Sequence, residues 1–380
     1  MHRSSSFLAS RRSVLAGAAS LGLLGAGSVR AQDADPRDAA LDAAMAHAAA
    51  PPAIAAAVVG RAGLEWSGVR GVRRKGEEDA ATQDDRWHLG SNAKAMTAAA
   101  FARLVERGQA RFGMPLAEVF PDVSIDAGFE GATLDDLMRH LGGLEDRVAM
   151  ASPVEARVDP RSPVEQRAAT VARALGSAPT KPRGTFAYAN VNYVILGAAL
   201  ERITGKSSEE VLTEEVFQPL GLSSAGFGAP VTNAAGGSNV WGHRPNGAPV
   251  DPASPFSDNP PFLVPAGAVH MTVADYGRYM QATVGGGPVD WLKPETLAAL
   301  TAQTEGAPGY ALGWLTQPAS WAGGKIGIGH EGSNTLWHSF AIGSMDLGLG
   351  FIVLSNGGLG GRPAAVELMR SLIAIRTGTA

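Results

Sequence analysis

The stretch Trp87-His88-Leu89-Gly90-Ser91-Asn92-Ala93-Lys94 decides how this 380-residue chain is read. Asn92 to Glu106 is expected to be a helix, with Met96, Ala99, Ala100 and Leu104 at helical spacing and Gly108 just past its end. Positions i and i+3 share a helix face, so the Lys94 amine can reach the Ser91 hydroxyl. A serine hydroxyl is a poor nucleophile without a neighbouring base. A lysine that is neutral in a partly desolvated pocket can be that base. The pair therefore points to acyl chemistry on serine without a Ser-His-Asp triad. Four residues alone carry little weight. Random placement of the chain's 26 serines and 6 lysines yields roughly 0.4 such matches, and a capping serine before a surface lysine is spelled the same way.

Two later stretches add weight. Tyr188-Ala189-Asn190 stands just before a helix expected over Val191 to Thr204. A tyrosine there can present its hydroxyl to a cleft, and the asparagine can hold a substrate amide. The plainer alternative is a half-buried aromatic with Asn190 as a helix cap. His330-Glu331-Gly332 ends a glycine-rich strand-like run and precedes another. There a cationic or hydrogen-bonding side chain on an edge strand can line an acyl site, and Gly332 can let substrate approach the backbone. His88 and His140 also have glycine two residues on, but they lie outside the terminal strands and read as structural.

The order of elements gives an α+β fold. Ala53 to Gly60 and Leu64 to Val72 read as a β-hairpin. Helices follow at Leu134 to His140, Ser162 to Leu175 and Val191 to Thr204, and again at Thr272 to Thr283. Gly226 to Pro265 is an irregular excursion expected to border a site. Tyr310 to Trp314, Ile326 to Gly329, Leu336 to Ile342 and Gly348 to Leu354 read as strands, and Arg362 to Ile375 as a closing helix. Short links favour antiparallel pairing. The expected assembly is one antiparallel sheet built from both chain ends (about 40–90 and 265–380), flanked by helices, with a mostly helical insertion (about 91–264).

Residues 1–31 read as an export signal: Arg3, Arg11 and Arg12, then an apolar run from Val14 to Val29, then Val29-Arg30-Ala31. Arg11-Arg12 is similar to a twin-arginine signal. Cleavage after Ala31 removes four arginines and takes the formal charge from −4 to −8. A mildly acidic chain without a basic block argues against a nucleic-acid partner. The apolar run is short and rich in glycine and alanine for a stable membrane anchor. The absence of cysteine excludes disulfides, thiolate metal sites and a cysteine nucleophile. No metal or cofactor pattern survives inspection. His330-Glu331 is not followed by histidine at position 334, and the glycine pattern from Gly327 to Gly332 precedes no helix.

Together, Ser91/Lys94, Tyr188/Asn190 and His330/Gly332 resemble the serine β-lactamase and penicillin-binding-protein superfamily. The likeness is nearest to the class C β-lactamase-like esterases, D-aminopeptidases and D-Ala-D-Ala carboxypeptidases. The flanks Trp87 to Ser91 and Gly184 to Gly197 agree, as do Gln218 to Leu222, Pro265-Ala266-Gly267 and Leu354-Ser355-Asn356. The resemblance implies an acyl-enzyme on Ser91, proton transfer shared by Lys94 and Tyr188, and Asn190 orienting the substrate. It implies an oxyanion hole from the backbone N–H groups of Ser91 and Ser333. The substrates implied are small esters, amides or peptides. The alternatives are a β-lactamase, or an idle binding protein on the same fold. His330 stands where the lactamases usually carry lysine, which turns the expectation away from β-lactams. Activity on carboxylate-bearing substrates is expected to rise as His330 gains a proton below about pH 6.5. Arg139 to Leu144 stands where relatives often have His-Thr-Ser-Gly-Leu.

Overall fold

A computed structural model describes residues 35–288, 291–304, 307 and 309–379. The signal expected at 1–31 lies outside them. The described chain forms one unit from Asp35 onward. Its first helix, α1 (Pro36–Ala46), was not anticipated, although Asp35 caps it and Pro36 opens it, both ordinary start signals. The hairpin follows as β1 (Ala53–Gly60) and β2 (Gly63–Gly71). Next come β3 (Arg86–His88) and α2 (Ala93–Glu106). The helical part includes α3 (Asp146–Ala149), α4 (Pro163–Leu175) and α5 (Val191–Thr204). The chain then forms β4 (Gly226–Phe227), β5 (Val269–Thr272) and α6 (Val273–Gln281). It closes with β6 (Leu315–Pro318), β7 (Ile326–Ser333), β8 (His338–Ser344), β9 (Leu349–Ser355) and α7 (Arg362–Thr377).

Both chain ends meet in one six-stranded antiparallel sheet, ordered β2-β1-β9-β8-β7-β6. β1, and β9 up to Ser355, carry no polar side chain, and both strands are buried at every position because both faces are covered. Ile54, Ala56, Val58, Phe351 and Val353 pack under α1 and α7. Ala53, Ala55, Ala57, Val59, Ile352 and Leu354 face the main core, which includes the apolar residues of α2 and α5. The buried Val, Ile, Leu and Phe side chains among these each stabilise the fold by roughly 1.5–3 kcal/mol, and the alanines by less. A second sheet, β3-β5-β4, sits where the chain enters α2. The excursion Gly226 to Pro265 is largely irregular, as expected, with only two-residue strands.

Two expectations need correction. Tyr310 to Trp314 is not a strand. Gly313 takes φ +83, and a Cβ there would stand 2.8 Å from the Ala95 Cα. The segment is a tight turn, with the Ala311 N–H donating to the Trp314 carbonyl at 2.7 Å, pressed against α2. The strand begins only at Leu315. The strand expected to stop at Gly329 also runs on: His330-Glu331-Gly332 lies in the last part of β7, paired with β8 on one side and, beyond the Ile326–Gly329 pairing to β6, open on the other. The glycine-rich run ends later than its composition implied because the ladder to β8 continues to Ser333–His338.

Candidate active site

Ser91 sits in the middle of a 3-10 turn, Gly90–Asn92, that leads into α2. Polar groups pin that turn from several elements. The Leu89 N–H donates to the Val269 carbonyl on β5 (2.8 Å). Asn92, buried and overlooked in the sequence, donates to the Leu89 carbonyl (3.0 Å) and to the Ser339 hydroxyl on β8 (2.5 Å). Its oxygen accepts from the Tyr276 hydroxyl on α6 (2.7 Å). His88 accepts the Gly90 N–H at Nδ1 (3.1 Å) and meets Asp258 through Nε2 (3.0 Å). His88 is thus structural, as read, and it ties the end of the long excursion to the turn.

Close backbone contact sets the height of the turn against β7. A Cβ on Gly332 would lie 2.7 Å from the Ser91 nitrogen, and closer still to the Leu89 carbonyl. A Cβ on Gly90, where φ is +51, would collide with the Ser333 nitrogen. Gly332 therefore admits the Ser91 turn. The amides of Ser91 and Ser333 flank this same contact. The bend after β7 is stiff: the Ser333 hydroxyl donates to the Trp337 carbonyl (2.6 Å), and the Asn334 side chain accepts from the Trp337 N–H (3.1 Å).

Lys94 is fully buried, and its Nζ has three oxygen neighbours. These are Ser91 Oγ at 3.0 Å, Asn190 Oδ1 at 2.8 Å and the Ala266 carbonyl at 2.7 Å. The sequence pair is thus a physical pair, not a cap and a surface lysine. The Ala266 segment is held by Thr97, which donates to the Pro265 carbonyl (2.7 Å). Asn190 precedes α5 but its side chain does not cap that helix. Its Nδ2 donates to Asp146 Oδ2 (2.9 Å), and Asp146 Oδ1 accepts the Val191 N–H (2.9 Å). Asp146 was missed. No spacing rule links a carboxylate to an amide 44 residues away.

Tyr188 is 45% exposed. Its ring lies 5.0 Å from Lys94 Nζ and 4.4 Å from the His140 ring. Among the described residues its hydroxyl has no hydrogen-bond partner. His140, read as structural, has a left-handed backbone (φ 58) and is buried among Phe186, Tyr188, Tyr193 and Tyr310. Its Nδ1 accepts from Asn192 (2.9 Å), so the ring proton sits on Nε2. Burial pushes its pKa well below the usual histidine range.

His330 corrects a further expectation. Its ring is buried, Nδ1 meets the Glu331 carbonyl at 2.8 Å, and Nε2 meets the Tyr310 hydroxyl at 3.0 Å. The carbonyl can only accept, so the proton is on Nδ1 and Nε2 accepts from Tyr310. Burial lowers its pKa to about 3. The ring therefore stays neutral through pH 6.5 and gives no cationic grip on a carboxylate. The alternating pattern of β7 could not reveal this, because the burial comes from Tyr310 in the preceding turn.

The Beta-lactamase family profile matches residues 38–374. Penicillin-binding protein 4 of Amycolatopsis lactamdurans is 27% identical over 306 residues, covering 76% of this chain and 77% of that protein. Unguisins hydrolase ungD' of Aspergillus campestris (strain IBT 28561) is 26% identical over 278 residues, covering 69% of this chain, which spans about half (49%) of that relative's length. Two solved structures share the fold. The octameric penicillin-binding protein homologue from Pyrococcus abyssi superposes with a TM-score of 0.72 at 22% identity, covering 90% of this chain and 77% of that one. A D-stereospecific amidohydrolase from Streptomyces sp. gives 0.66 at 23% identity, covering 88% and 97%. The match runs through both chain ends and the helical part between them, and on that ground the chain belongs to the Beta-lactamase family.

Proposed function

We propose that this protein is a serine hydrolase that forms an acyl-enzyme on Ser91 and acts on small esters or on D-amino-acid amides and peptides. The observation that carries the reading is the 3.0 Å contact between Lys94 Nζ and Ser91 Oγ inside a shell of fixed acceptors. Lys94 takes the Ser91 proton as Oγ attacks the carbonyl carbon. Tyr188, at the mouth and without a hydrogen-bond partner among the described residues, hands a proton to the leaving group and takes one back from the Lys94 ammonium, which lies 5.0 Å from its ring. The Ser91 and Ser333 amides hold the oxyanion, where charge develops in the transition state. Asn190, already bonded on both sides, acts here on Lys94 more than on substrate. The unguisins hydrolase supports a hydrolytic activity, and the D-stereospecific amidohydrolase supports an amide substrate. β-Lactam hydrolysis is the weaker reading, because His330 is neutral and buried.

The test is a panel of p-nitrophenyl esters, D-aminoacyl p-nitroanilides and nitrocefin, with Ser91→Ala as control. Hydrolysis of an ester or D-aminoacyl amide that vanishes in the control is expected. Turnover by Ser91→Ala at the wild-type rate would sink the reading. The signal-like residues 1–31 support an exported enzyme, and cell fractionation tests it: recovery of the mature chain in the cytoplasm would count against export.

A further inference from the structure

Asp146 belongs to none of the three motifs, yet it stands at the end of a hydrogen-bonded chain that reaches the nucleophile. From Asp146 Oδ2 the chain runs to Asn190 Nδ2 (2.9 Å), from Asn190 Oδ1 to Lys94 Nζ (2.8 Å), and from Nζ to Ser91 Oγ (3.0 Å). The two ends of an asparagine amide have nearly the same shape, so its partners decide which way it points. An ionised carboxylate only accepts hydrogen bonds. Asp146 therefore draws Nδ2 to itself and leaves Oδ1 facing Lys94.

That polarity matters to the amine. A neutral amine has two N–H bonds and one lone pair. Asn190 Oδ1 and the Ala266 carbonyl are pure acceptors and take both N–H bonds. The third direction, toward Ser91 Oγ, is left for the lone pair. When Oγ bonds to the substrate carbonyl, its proton moves to that lone pair. The resulting ammonium keeps the same two acceptors and needs no rearrangement. Were the amide turned round, Nδ2 would compete for the lone pair and draw it off Ser91.

We infer that Asp146 is a positioning residue that fixes the Asn190 amide so that the lone pair of Lys94 faces Ser91. The inference rests on the proposed roles of Ser91 and Lys94. Asp146 also accepts the Val191 N–H at the start of α5 (2.9 Å), so a capping role alone is the rival explanation. The titratable groups facing Lys94 are Tyr188 and Tyr193, whose rings lie within 6 Å, and the neutral His140 and His330. Glu145 pairs with Arg147 and Lys181 next to Asp146 in the chain.

The test uses the rate of Ser91 labelling by a fluorophosphonate, its pH profile, and Tm. Asp146→Asn keeps an oxygen for the Val191 N–H but presents a donor to Asn190. Labelling is expected to slow about 100-fold with Tm within about 2 °C of wild type. The reciprocal pair, Asp146→Asn with Asn190→Asp, restores an acceptor facing Lys94. It should regain about tenfold, with the profile moved to higher pH because a carboxylate beside an amine favours its charged form. Wild-type labelling by Asp146→Asn would overturn the inference. So would a loss that tracks a fall in Tm and is not repaired by the pair. Labelling that survives in Ser91→Ala would instead remove the reading of the site itself.

Discussion

Gly332→Ala isolates the contact that sets the height of the Ser91 turn. Gly332 is not in the left-handed region, so alanine costs nothing in backbone conformation there. The cost is steric. The new methyl would stand 2.7 Å from the Ser91 nitrogen and 2.9 Å from Asn92 Nδ2. Ordinary contacts begin at 3.4 Å, so the turn must retreat by roughly 0.7 Å at Ser91 and further at Leu89. It has little room. The Leu89 carbonyl is held by Asn92 at 3.0 Å and by Ser339 at 2.6 Å. Overpacking of this kind costs about 1–3 kcal/mol, and a misplacement near 1 Å at the reacting atom costs about 10²-fold in rate. Urea unfolding and the fluorophosphonate labelling rate read the two effects separately. Gly327→Ala serves as control on the same strand, where the one tight contact of the methyl would be the Ala319 side chain at 3.0 Å, with the Gln317 and Gly343 carbonyls at ordinary distances of 3.6 and 3.7 Å. It should lose stability without losing labelling. Gly332→Ala that folds and labels within about threefold of wild type would refute the argument that this glycine places the nucleophile.

Three further outcomes follow from the same geometry. Lys94→Gln should slow ester hydrolysis by roughly 10²–10⁴-fold; hydrolysis within tenfold of wild type would show that another group takes the Ser91 proton. Tyr188→Phe should leave Tm within about 1 °C, since the hydroxyl has no hydrogen-bond partner among the described residues, while slowing amide hydrolysis about 10²-fold; a fall in Tm without a rate effect would make the hydroxyl structural. Stability should drop as pH falls below the normal histidine range. Burial lowers the His270 pKa to about 4 and the His330 pKa to about 3. The unfolded chain takes up these protons near pH 6.5 while the folded chain refuses them. The contribution is whole above pH 6.5 and is lost progressively down to about pH 3, through the two folded-state values. Urea midpoints that stay flat between pH 7 and 5 would show that these rings protonate in place.

Local chemistry was legible in the sequence and tertiary chemistry was not. Ser91 and Lys94 could be paired because i and i+3 meet on any helix, and β1 and β9 announce themselves as unbroken apolar runs buried on both faces. Tyr310 to Trp314 misled because an apolar run looks the same in a strand and in a turn. What separates them is the Gly313 backbone pressed on α2. His330 was placed correctly along the chain but misjudged in charge, because its desolvation depends on Tyr310, twenty residues away. Asp146 was invisible for a similar reason. Its partners, Asn190 and Val191, become neighbours only when α3 and the start of α5 come together. Asn190 looked like a cap or a substrate clamp, and it is a link between a carboxylate and an amine.

The central claim is that Ser91 carries the acyl group during turnover. Acid quenching of the enzyme in the presence of excess p-nitrophenyl ester, followed by intact-mass measurement and peptide mapping, tests it most directly. One added acyl mass is expected, located on the peptide that contains Ser91 and absent from Ser91→Ala. An acyl mass on another residue, or turnover of the same ester by Ser91→Ala at an undiminished rate, would contradict it.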